Sequence, residues 1–307
     1  MASSEVSSVT QEFAKIDAAL YQQSLQSMVF DAIDRIIEQK PNHIACYNDV
    51  NDLSKSVTYL ELKEKSLAIA SFLHSKGYRR GEDAVFVDTK QKIQAARSRV
   101  VFTTADSLEK IRWIRKECDT VEWIVVLGST ACELQEGEIT FEEVLRTQVD
   151  RNRKPIPVQP EDVAFILLSS GTTGAPKIVL HTHRALVALL LNLDANMKSF
   201  WEDAFSRKFN WIDEHEIVVL PLVHGLATYQ LLLFLRKGVS FVMMQDFDAV
   251  KFCEAVEKFK VRMITTNPSK IRELIRTSQQ GDSRTFVLNS VKYSKSTDNV
   301  DLRLPAA

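Results

Sequence analysis

Residues 164–183 read Ala164-Phe-Ile-Leu-Leu-Ser-Ser-Gly-Thr-Thr-Gly-Ala-Pro-Lys-Ile-Val-Leu-His-Thr-His183. The apolar run Val163–Leu168 predicts a central strand covered on both faces, and Ile178–Leu180 is expected to form a second buried strand after the polar loop. The chain contains only nine glycines in 307 residues, well below the usual proportion of about 7%. Two of them, Gly171 and Gly174, lie in this loop, which indicates a backbone conformation that other residues do not readily adopt.

The polar loop offers the chemical groups that bind a polyphosphate. Its glycines allow main-chain N–H groups to approach anionic oxygens, its hydroxyl groups donate further hydrogen bonds, and Lys177 supplies a positive charge. Charge-assisted hydrogen bonds of this kind contribute roughly 1.5–3 kcal/mol each. The sequence therefore predicts a phosphate-binding loop whose binding residues are Ser169, Ser170, Gly171, Thr172, Thr173, Gly174 and Lys177.

Three other types of loop are alternatives to a phosphate-binding loop of this kind. A short loop rich in Ser, Thr and Gly is by itself typical of an ordinary turn. The loop 169–177 is not a Walker loop, because Lys177 follows Pro176 instead of a glycine and precedes Ile178 instead of a hydroxyl residue. The chain contains no GxGxxG dinucleotide fingerprint. The assignment therefore depends on the longer pattern in which the loop lies.

The nine residues Ser169–Lys177, with the pattern Ser-Ser-Gly-Thr-Thr-Gly-x-Pro-Lys, resemble the signature of the adenylate-forming superfamily. That family includes acyl- and aryl-CoA synthetases, 4-coumarate–CoA ligases and beetle luciferases. A second block, Ile217–Leu226, is similar to the family's strand, Leu-Pro pair and histidine at the floor of the acyl pocket. Two upstream fragments, Val57–Leu62 and Ala70–Asp83, also look like family segments. The resemblance extends over residues 28–87 and 99–274.

The resemblance implies an α/β fold with two subdomains of mostly parallel sheet and flanking helices. This corresponds to the N-terminal part of an adenylate-forming enzyme, truncated so that the small C-terminal domain is absent. Three of the eight prolines lie in residues 150–160, which predicts an extended linker. We therefore expect a first α/β subdomain over 1–149 (shortened near 88–98), the linker over 150–160, a second subdomain with the phosphate loop over 161–278, and a polar tail over 279–307.

Hydrophobic periodicity predicts alternating helices and strands. The join between strands 84–87 and 99–102 is at the lower length limit for a parallel crossover. Either this crossover is short, or the two strands are not parallel neighbours. The predicted helices are 28–38, 60–76, 107–117, 183–198, 226–236, 248–259 and 269–277, and the predicted strands are 56–59, 84–87, 99–102, 123–127, 163–168, 217–220, 239–243 and 261–265.

The family resemblance also implies a reaction. A fatty or aryl acid would react with ATP and Mg²⁺ to give an acyl-adenylate and pyrophosphate, and CoA would then displace AMP to form a thioester. Catalytic roles are implied for Lys177, Thr173 and His224, with electrostatic stabilisation of the phosphoryl transition state as the main contribution. His224 would line the acyl site, and the alternative for this residue is a histidine packed in the core. The expected partners are a small carboxylic acid, ATP and CoA.

Departures from the family pattern lead to alternative hypotheses. Ile178 occupies the position where the family has a glycine after the loop lysine. The adenine-binding segment, the ribose-binding aspartate, the hinge and the C-terminal catalytic lysine are not recognised in the sequence. These departures predict weak nucleotide binding and impaired activity. The alternatives are a catalytically inactive nucleotide- or protein-binding relic of the family, and a product that folds poorly.

Charge and targeting signals narrow the possible binding partners and cellular locations of the protein. Lys and Arg number 39 and Asp and Glu number 40, which argues against nucleic-acid binding through bulk positive charge. We recognise no transmembrane run, no secretory signal and no C-terminal peroxisomal tripeptide. The expectation is a cytoplasmic protein, with a peroxisomal location suggested only by the family.

Two clusters of polar residues are expected to have no functional role. His181 and His183 form an H-x-H pair without a recognisable third ligand, and the four cysteines form no CxxC pair, so no metal site is expected. The acidic residues around His215, which are Asp213, Glu214 and Glu216, are predicted to form a solvated turn before a strand.

Overall fold

The computed structural model describes residues 22–50, 52–79, 81, 84–86, 93–94, 96–128, 133–151, 157–169, 177–205, 210–222, 224–279 and 293–295. Its contacts group the chain into two compact units, one formed by Met1–Leu62 with Arg184–Ala307 and the other by Lys63–His183. The linker is predicted over 150–160. Residues 152–156 of that linker lie outside the described residues.

In chain order, the described helices are α1 (Leu25–Gln39), α2 (Tyr59–Ser75), α3 (Leu108–Glu117), α4 (Phe141–Leu145), α5 (His183–Phe205), α6 (Gly225–Lys237), α7 (Ala249–Phe259) and α8 (Pro268–Gln279). The strands are β1 (Ile44–Tyr47), β2 (Ser56–Thr58), β3 (Ala84–Phe86), β4 (Val100–Thr104), β5 (Trp123–Leu127), β6 (Glu138–Thr140), β7 (Val163–Ser169), β8 (Lys177–Thr182), β9 (His215–Val218), β10 (Ser240–Met243), β11 (Met263–Thr265) and β12 (Tyr293–Lys295). Within the described part of the chain, no helix is long and apolar enough to cross a membrane.

The first unit is built on a sheet with strand order β2-β1-β10-β9. β1, β10 and β9 run parallel, and β2 joins the edge antiparallel to β1. Helix α6 connects β9 to its parallel neighbour β10 and packs against α1. An apolar cluster that includes Val242, Phe252 and Val256 forms the core between the sheet and α7. The predicted α/β fold with parallel sheets and flanking helices is therefore confirmed.

Buried polar contacts hold the turn between α6 and β10 in this unit. The Tyr59 hydroxyl, fully buried, donates a hydrogen bond to the Val239 carbonyl oxygen at 2.8 Å. The Tyr59 ring stacks on the His43 ring with centroids 5.3 Å apart, and His43 Nε2 donates to the Gly238 carbonyl oxygen at 2.6 Å. Gly238 has a φ of +81°, and this left-handed conformation ends α6 at a position that favours glycine. These contacts fix where α6 stops and β10 starts.

The second unit contains a four-stranded sheet, β3-β4-β5-β6, in which all neighbouring strands are parallel. Successive residues of β4 point to opposite faces, as expected for a strand. Val101 packs with Ile111 of α3, whereas Val100 and Phe102 pack with Phe72 of α2. Both faces of the sheet are therefore covered by helices.

The short join between β3 and β4 connects direct neighbours. Ala84 lies opposite Val100 and Phe86 lies opposite Phe102 in a parallel register. The alternative that these strands are not parallel neighbours is wrong, and the join predicted to be short is therefore a parallel connection.

The prediction that Val163–Leu168 is a central strand covered on both faces is wrong. β7 pairs antiparallel with β8 in a two-stranded sheet. Val163 is 45% exposed and Leu180 on β8 is 58% exposed, so the expectation of a buried second strand is also wrong. An apolar run of this length is compatible with several positions in a fold, because its hydrophobicity does not reveal which strand pairs with it.

The polar segment at the end of the chain contributes one described strand. Residues 279–307 show no strong pattern in the sequence, yet Tyr293–Lys295 forms β12 and pairs parallel with β11. Main-chain pairing requires no apolar pattern, which is why composition missed this strand.

A buried ion pair connects α3 to β6 in the second unit. Arg112 Nε donates to Glu138 Oε1 at 2.9 Å and Arg112 Nη2 donates to Oε2 at 2.6 Å. The Glu138 side chain is fully buried, and the Gln135 main-chain N–H also donates to it at 2.9 Å. Burial alone would raise the pKa of Glu138, but the Arg112 hydrogen bonds and charge, together with the Gln135 amide, lower it.

Removing this carboxylate is expected to destabilise the protein. Glu138→Ala leaves the Arg112 guanidinium without its buried partner, and breaking such pairs costs about 3 kcal/mol or more. The free energy of unfolding, measured by urea denaturation, tests this expectation. Glu64→Ala is the control, since Glu64 pairs with the exposed Arg151 and such pairs contribute about 1 kcal/mol or less. Equal losses in the two variants would contradict the role assigned to Glu138.

Candidate functional site

The predicted phosphate-binding loop is anchored by the pairing of β7 with β8. Leu168 lies opposite Ile178, and Ser169 lies opposite Lys177, so the two ends of the loop meet across the strand pair. Lys177 is exposed. The structure thus brings together the first and last predicted binding residues. The others, Ser170, Gly171, Thr172, Thr173 and Gly174, lie outside the described residues.

The far end of this strand pair is held close to the start of α5. The His183 main-chain N–H donates to the Asp162 carbonyl oxygen at 3.0 Å, and the Asp162 carboxylate accepts a hydrogen bond from the Gln159 main-chain N–H at 2.7 Å. His183 is buried, and this burial lowers its pKa, although the nearby Asp162 charge acts in the opposite direction. The residue that follows β8 is therefore fixed beside the residue that precedes β7.

The two histidines of the H-x-H pair lie at the end of β8 and at the start of α5. His181 is half-buried in β8, where it pairs in register with Phe165. Among the residues that the structure describes, no group of three or more His, Cys, Asp or Glu side chains is arranged to hold a metal ion.

His224 lies at the N-cap of α6 and is exposed. The alternative of a histidine packed in the core is therefore wrong. Its main-chain N–H donates to the Pro221 carbonyl oxygen at 3.0 Å. The Thr228 hydroxyl donates to the Leu222 carbonyl oxygen at 2.6 Å, and the Thr228 N–H donates to the His224 carbonyl oxygen at 3.0 Å. These bonds fix the turn that presents His224. His224 belongs to the first compact unit and Lys177 to the second.

The prediction that the acidic residues around His215 form a solvated turn is wrong for two of them. Glu214 is 3% exposed and Glu216 is 2% exposed. The strand begins at His215, two residues earlier than predicted, and its pairing with β10 places Glu216 opposite Phe241. His215 itself lies between aromatic rings, 5.4 Å from that of Phe259, and its burial lowers its pKa.

Each of the two buried carboxyl groups has a different partner. Arg262 Nε donates to Glu214 at 2.9 Å, which gives this carboxylate a positive counter-charge. Glu216 receives a hydrogen bond from the neutral amide of Gln230 on α6, with Nε2 2.8 Å from Oε1. Complete burial raises the pKa of Glu216 to about 8, even though Gln230 and Thr265 act to lower it. Glu216 is therefore mostly protonated at neutral pH.

A small cavity lies directly beside this protonated carboxyl. Its volume is about 20 Å³, and it is lined by Glu216, Gln230, Leu222, Ala227, Phe241 and Thr265, among others. Leu222 and Ala227 flank the turn that carries His224. Sequence reasoning missed Glu216 because the predicted strand began one residue after it.

Comparisons with known proteins show which proteins this chain is similar to. A family model described as AMP-binding enzyme matches residues 87–299. The chain is 39% identical over 132 residues to 4-coumarate:CoA ligase 1 of Petunia hybrida, which covers 41% of this chain and 22% of that protein. It is 25% identical over 330 residues to acetyl-coenzyme A synthetase of Marinobacter nauticus, and this match covers 91% of this chain and 49% of that protein. The luciferase-like enzyme from the nonluminescent Zophobas morio mealworm has a similar fold, with a TM-score of 0.67 and 19% identity over 87% of this chain and 64% of that chain. The chain spans about half or less of the length of these two curated relatives.

Replacing Glu216 by glutamine is expected to change how stability depends on pH. The folded protein binds the Glu216 proton more tightly than the unfolded chain, because the pKa rises from 4.5 to about 8 on folding. The free energy of unfolding of the wild-type protein therefore falls as the pH rises from about 4.5 to 8, by up to about 1.4 kcal/mol per pH unit. We expect Glu216→Gln to be more stable than wild type at pH 8 and this advantage to shrink towards pH 5, as measured by urea midpoints.

When wild type and Glu216→Gln are compared at the same pH, the contributions of all other titrating groups cancel in the stability difference. The pKa values of His43, His183 and His215 are lowered in the folded protein, so these residues destabilise both proteins below about pH 6.5. A stability difference that stays constant from pH 5 to pH 8 would argue against a buried, protonated Glu216.

Proposed function

This chain belongs to the AMP-binding enzyme family, and we propose that it binds ATP at the loop 170–176 and activates a carboxylic acid as an acyl-adenylate for transfer to CoA. The observation that carries this proposal is the pairing of Ser169 with Lys177, which holds the two ends of the loop opposite each other. The names of the two curated relatives, a coumarate and an acetate CoA ligase, support an acid–CoA ligase activity. A fatty or aryl acid is the substrate class that we propose.

The loop is suited to an anionic phosphate chain because of how it is anchored. Antiparallel strands fix both of its ends, so the entropy lost in ordering it is smaller than for a free loop of the same length. Its sequence supplies main-chain N–H groups at two glycines and hydroxyl groups at Ser170, Thr172 and Thr173. Lys177, exposed at the end of the loop, adds the positive charge that we assign to the phosphate oxygens.

In the first step, a carboxylate oxygen of the acid attacks the α-phosphorus of ATP and the bond to the β-phosphate oxygen breaks. Negative charge grows on the departing pyrophosphate, and we assign Lys177 and Thr173 to stabilise it. Mg²⁺ usually binds through substrate phosphates and one or two carboxylates. We therefore expect Mg²⁺ to reach the site on the triphosphate.

In the second step, the CoA thiol loses its proton to solvent water and its sulfur attacks the acyl carbonyl carbon. The bond to the AMP oxygen breaks, and a thioester and AMP result. We assign His224 to the vicinity of the reacting carboxyl group, because it is exposed at the N-terminus of α6, where main-chain N–H groups favour negative charge.

Pyrophosphate release tests the proposed activity. The protein is mixed with ATP, Mg²⁺ and a panel of fatty and aryl acids, first without CoA and then with it. Release that depends on the acid and occurs without CoA supports adenylate formation, and a thioester formed with CoA supports the second step. ATP binding with no release for any acid would overturn the proposed activity in favour of an inactive nucleotide-binding relative.

Lys177→Ala is expected to weaken ATP binding about tenfold or more, because one charge-assisted contact to the triphosphate is lost. The dissociation constant for ATP with Mg²⁺, measured by isothermal titration calorimetry, reports this change. Lys116→Ala is the matched control, since Lys116 is an exposed lysine on α3, remote in sequence from the loop. Equal effects of the two substitutions would count against the assignment of Lys177.

A further inference from the structure

We propose that Lys270, at the start of α8, is a positioning residue for the acid site, because its ammonium holds the main chain that leads into the turn presenting His224. The proposal rests on the proposed function and adds to it a residue that the family pattern in the sequence does not indicate. All the groups that carry it belong to the first compact unit.

The first argument is the place where main-chain pairing of β9 ends. Val218 is the last residue of β9 that pairs with β10, and its carbonyl oxygen accepts a hydrogen bond from the Met244 N–H at 3.2 Å. Val219 comes next and is buried, so its carbonyl group needs a hydrogen-bond partner. Lys270 Nζ donates to this carbonyl oxygen at 2.7 Å. A side chain thus takes over at the point where pairing with β10 stops.

The second argument is that the Lys270 side chain is held at both ends. Its ammonium lies 4.9 Å from the centre of the Phe247 ring, which belongs to the connection between β10 and α7, and this distance suits a cation–π contact. Its main-chain N–H donates to the side-chain oxygen of Asn267 at 3.0 Å, and the Ile271 N–H donates to the Asn267 carbonyl oxygen at 3.2 Å. Asn267 thereby caps α8 and fixes the place from which the lysine reaches β9.

The third argument is the short path from Val219 to His224. Pro221 lies on this path with a φ angle restricted by its ring, and its carbonyl oxygen accepts a hydrogen bond from the His224 N–H at 3.0 Å. The Thr228 N–H donates to the His224 carbonyl oxygen at 3.0 Å and joins the turn to α6. A turn that is braced by its own hydrogen bonds moves as a unit about the point where it leaves the sheet. That point is Val219, so Lys270 sets where the turn lies.

A local and a general consequence of this contact can be separated. Desolvation lowers the pKa of Lys270, although the charge of Glu273 on the same helix acts in the opposite direction. The half-buried ammonium therefore stabilises the whole fold only as far as its two contacts offset the cost of its burial. Its local consequence is different, because without the ammonium the turn loses its attachment to the end of β9 while the core remains packed.

Three variants of the full chain test this role. Lys270→Met keeps a long side chain and removes the ammonium, whereas Lys270→Arg keeps a positively charged N–H donor that can reach the Val219 carbonyl group. Lys258→Met is the matched control. The Lys258 ammonium also donates to a main-chain carbonyl oxygen, that of Val50 at 3.3 Å, and lies 5.5 Å from the centre of the Phe259 ring. Its contacts are of the same kind but do not involve the turn.

The first measurement is hydrogen exchange at single main-chain N–H groups, followed by NMR, and it requires no activity. In Lys270→Met we expect the His224 N–H to exchange about fivefold faster or more, because the turn opens locally. The Val256 N–H in the core helix α7 reports general loss of stability and should change by less than about twofold. Lys270→Arg and Lys258→Met should resemble wild type at both N–H groups. Unchanged exchange at His224, or equal acceleration at His224 and Val256, overturns the proposal.

The second measurement is the rate of acid-dependent pyrophosphate release. Lys270→Met should lower kcat about tenfold or more, because a small misplacement of a residue beside the reacting carboxyl group slows the reaction. The KM for ATP should stay within about threefold of wild type, since the phosphate loop is not part of this turn. Lys270→Arg should recover most of kcat, and Lys258→Met should leave it unchanged. Faster exchange at His224 with an unchanged kcat overturns the link between Lys270 and the acid site.

The two measurements separate this proposal from the proposed function. Wild-type protein that releases no pyrophosphate with any acid overturns the proposed function and, with it, the role of Lys270 in the reaction. Hydrogen exchange still decides in that case whether Lys270 positions the turn. Acid-dependent release that is equal in wild type and Lys270→Met leaves the ligase activity standing and overturns only the role of this lysine.

Discussion

Main-chain pairing between β7 and β8 is the constraint on which the proposed phosphate binding depends. The register sets Ser169 opposite Lys177, and a slip by one residue would move every side chain of a strand to the other face. The hydrogen bond from His183 to Asp162 holds the other end of the pair. The loop therefore begins and ends at fixed points, and the position of its lysine follows from the backbone and not from side-chain packing.

Three buried glutamates show how the partner determines the charge of a carboxyl group. Glu138 faces the guanidinium of Arg112, and its pKa is lowered in spite of its burial. Glu214 accepts a hydrogen bond from Arg262. Glu216 has only neutral partners, the Gln230 amide and Thr265, and burial raises its pKa. A charged partner offsets the desolvation of an ionised carboxylate, whereas an amide does not. Glu138 therefore serves as an ionic link within the fold, whereas Glu216 is mostly protonated at neutral pH.

Much of the fold could be predicted from the sequence because its elements obey clear periodicities. The strand Trp123–Leu127 agrees with the predicted bounds, and the helix predicted over 248–259 corresponds to Ala249–Phe259. The burial of Val163–Leu168 could not be predicted, because an apolar run does not specify its neighbours. Of the candidate site, the motif supplied Lys177 and His224, but a strand predicted to begin two residues too late left Glu216 in a turn.

The predicted phosphate loop and the buried Glu216 differ in what their sequences encode, and this explains why only the loop could be recognised. A phosphate chain is the same in every nucleoside triphosphate, so a loop that binds it through main-chain N–H groups needs glycines and hydroxyls at fixed positions, as in Ser169–Lys177. No general pattern predicts that a glutamate will lie between apolar walls. Glu216 became identifiable only when the pairing of β9 with β10 and the hydrogen bond from Gln230 were known, because these contacts distinguish a buried acid from a solvated one.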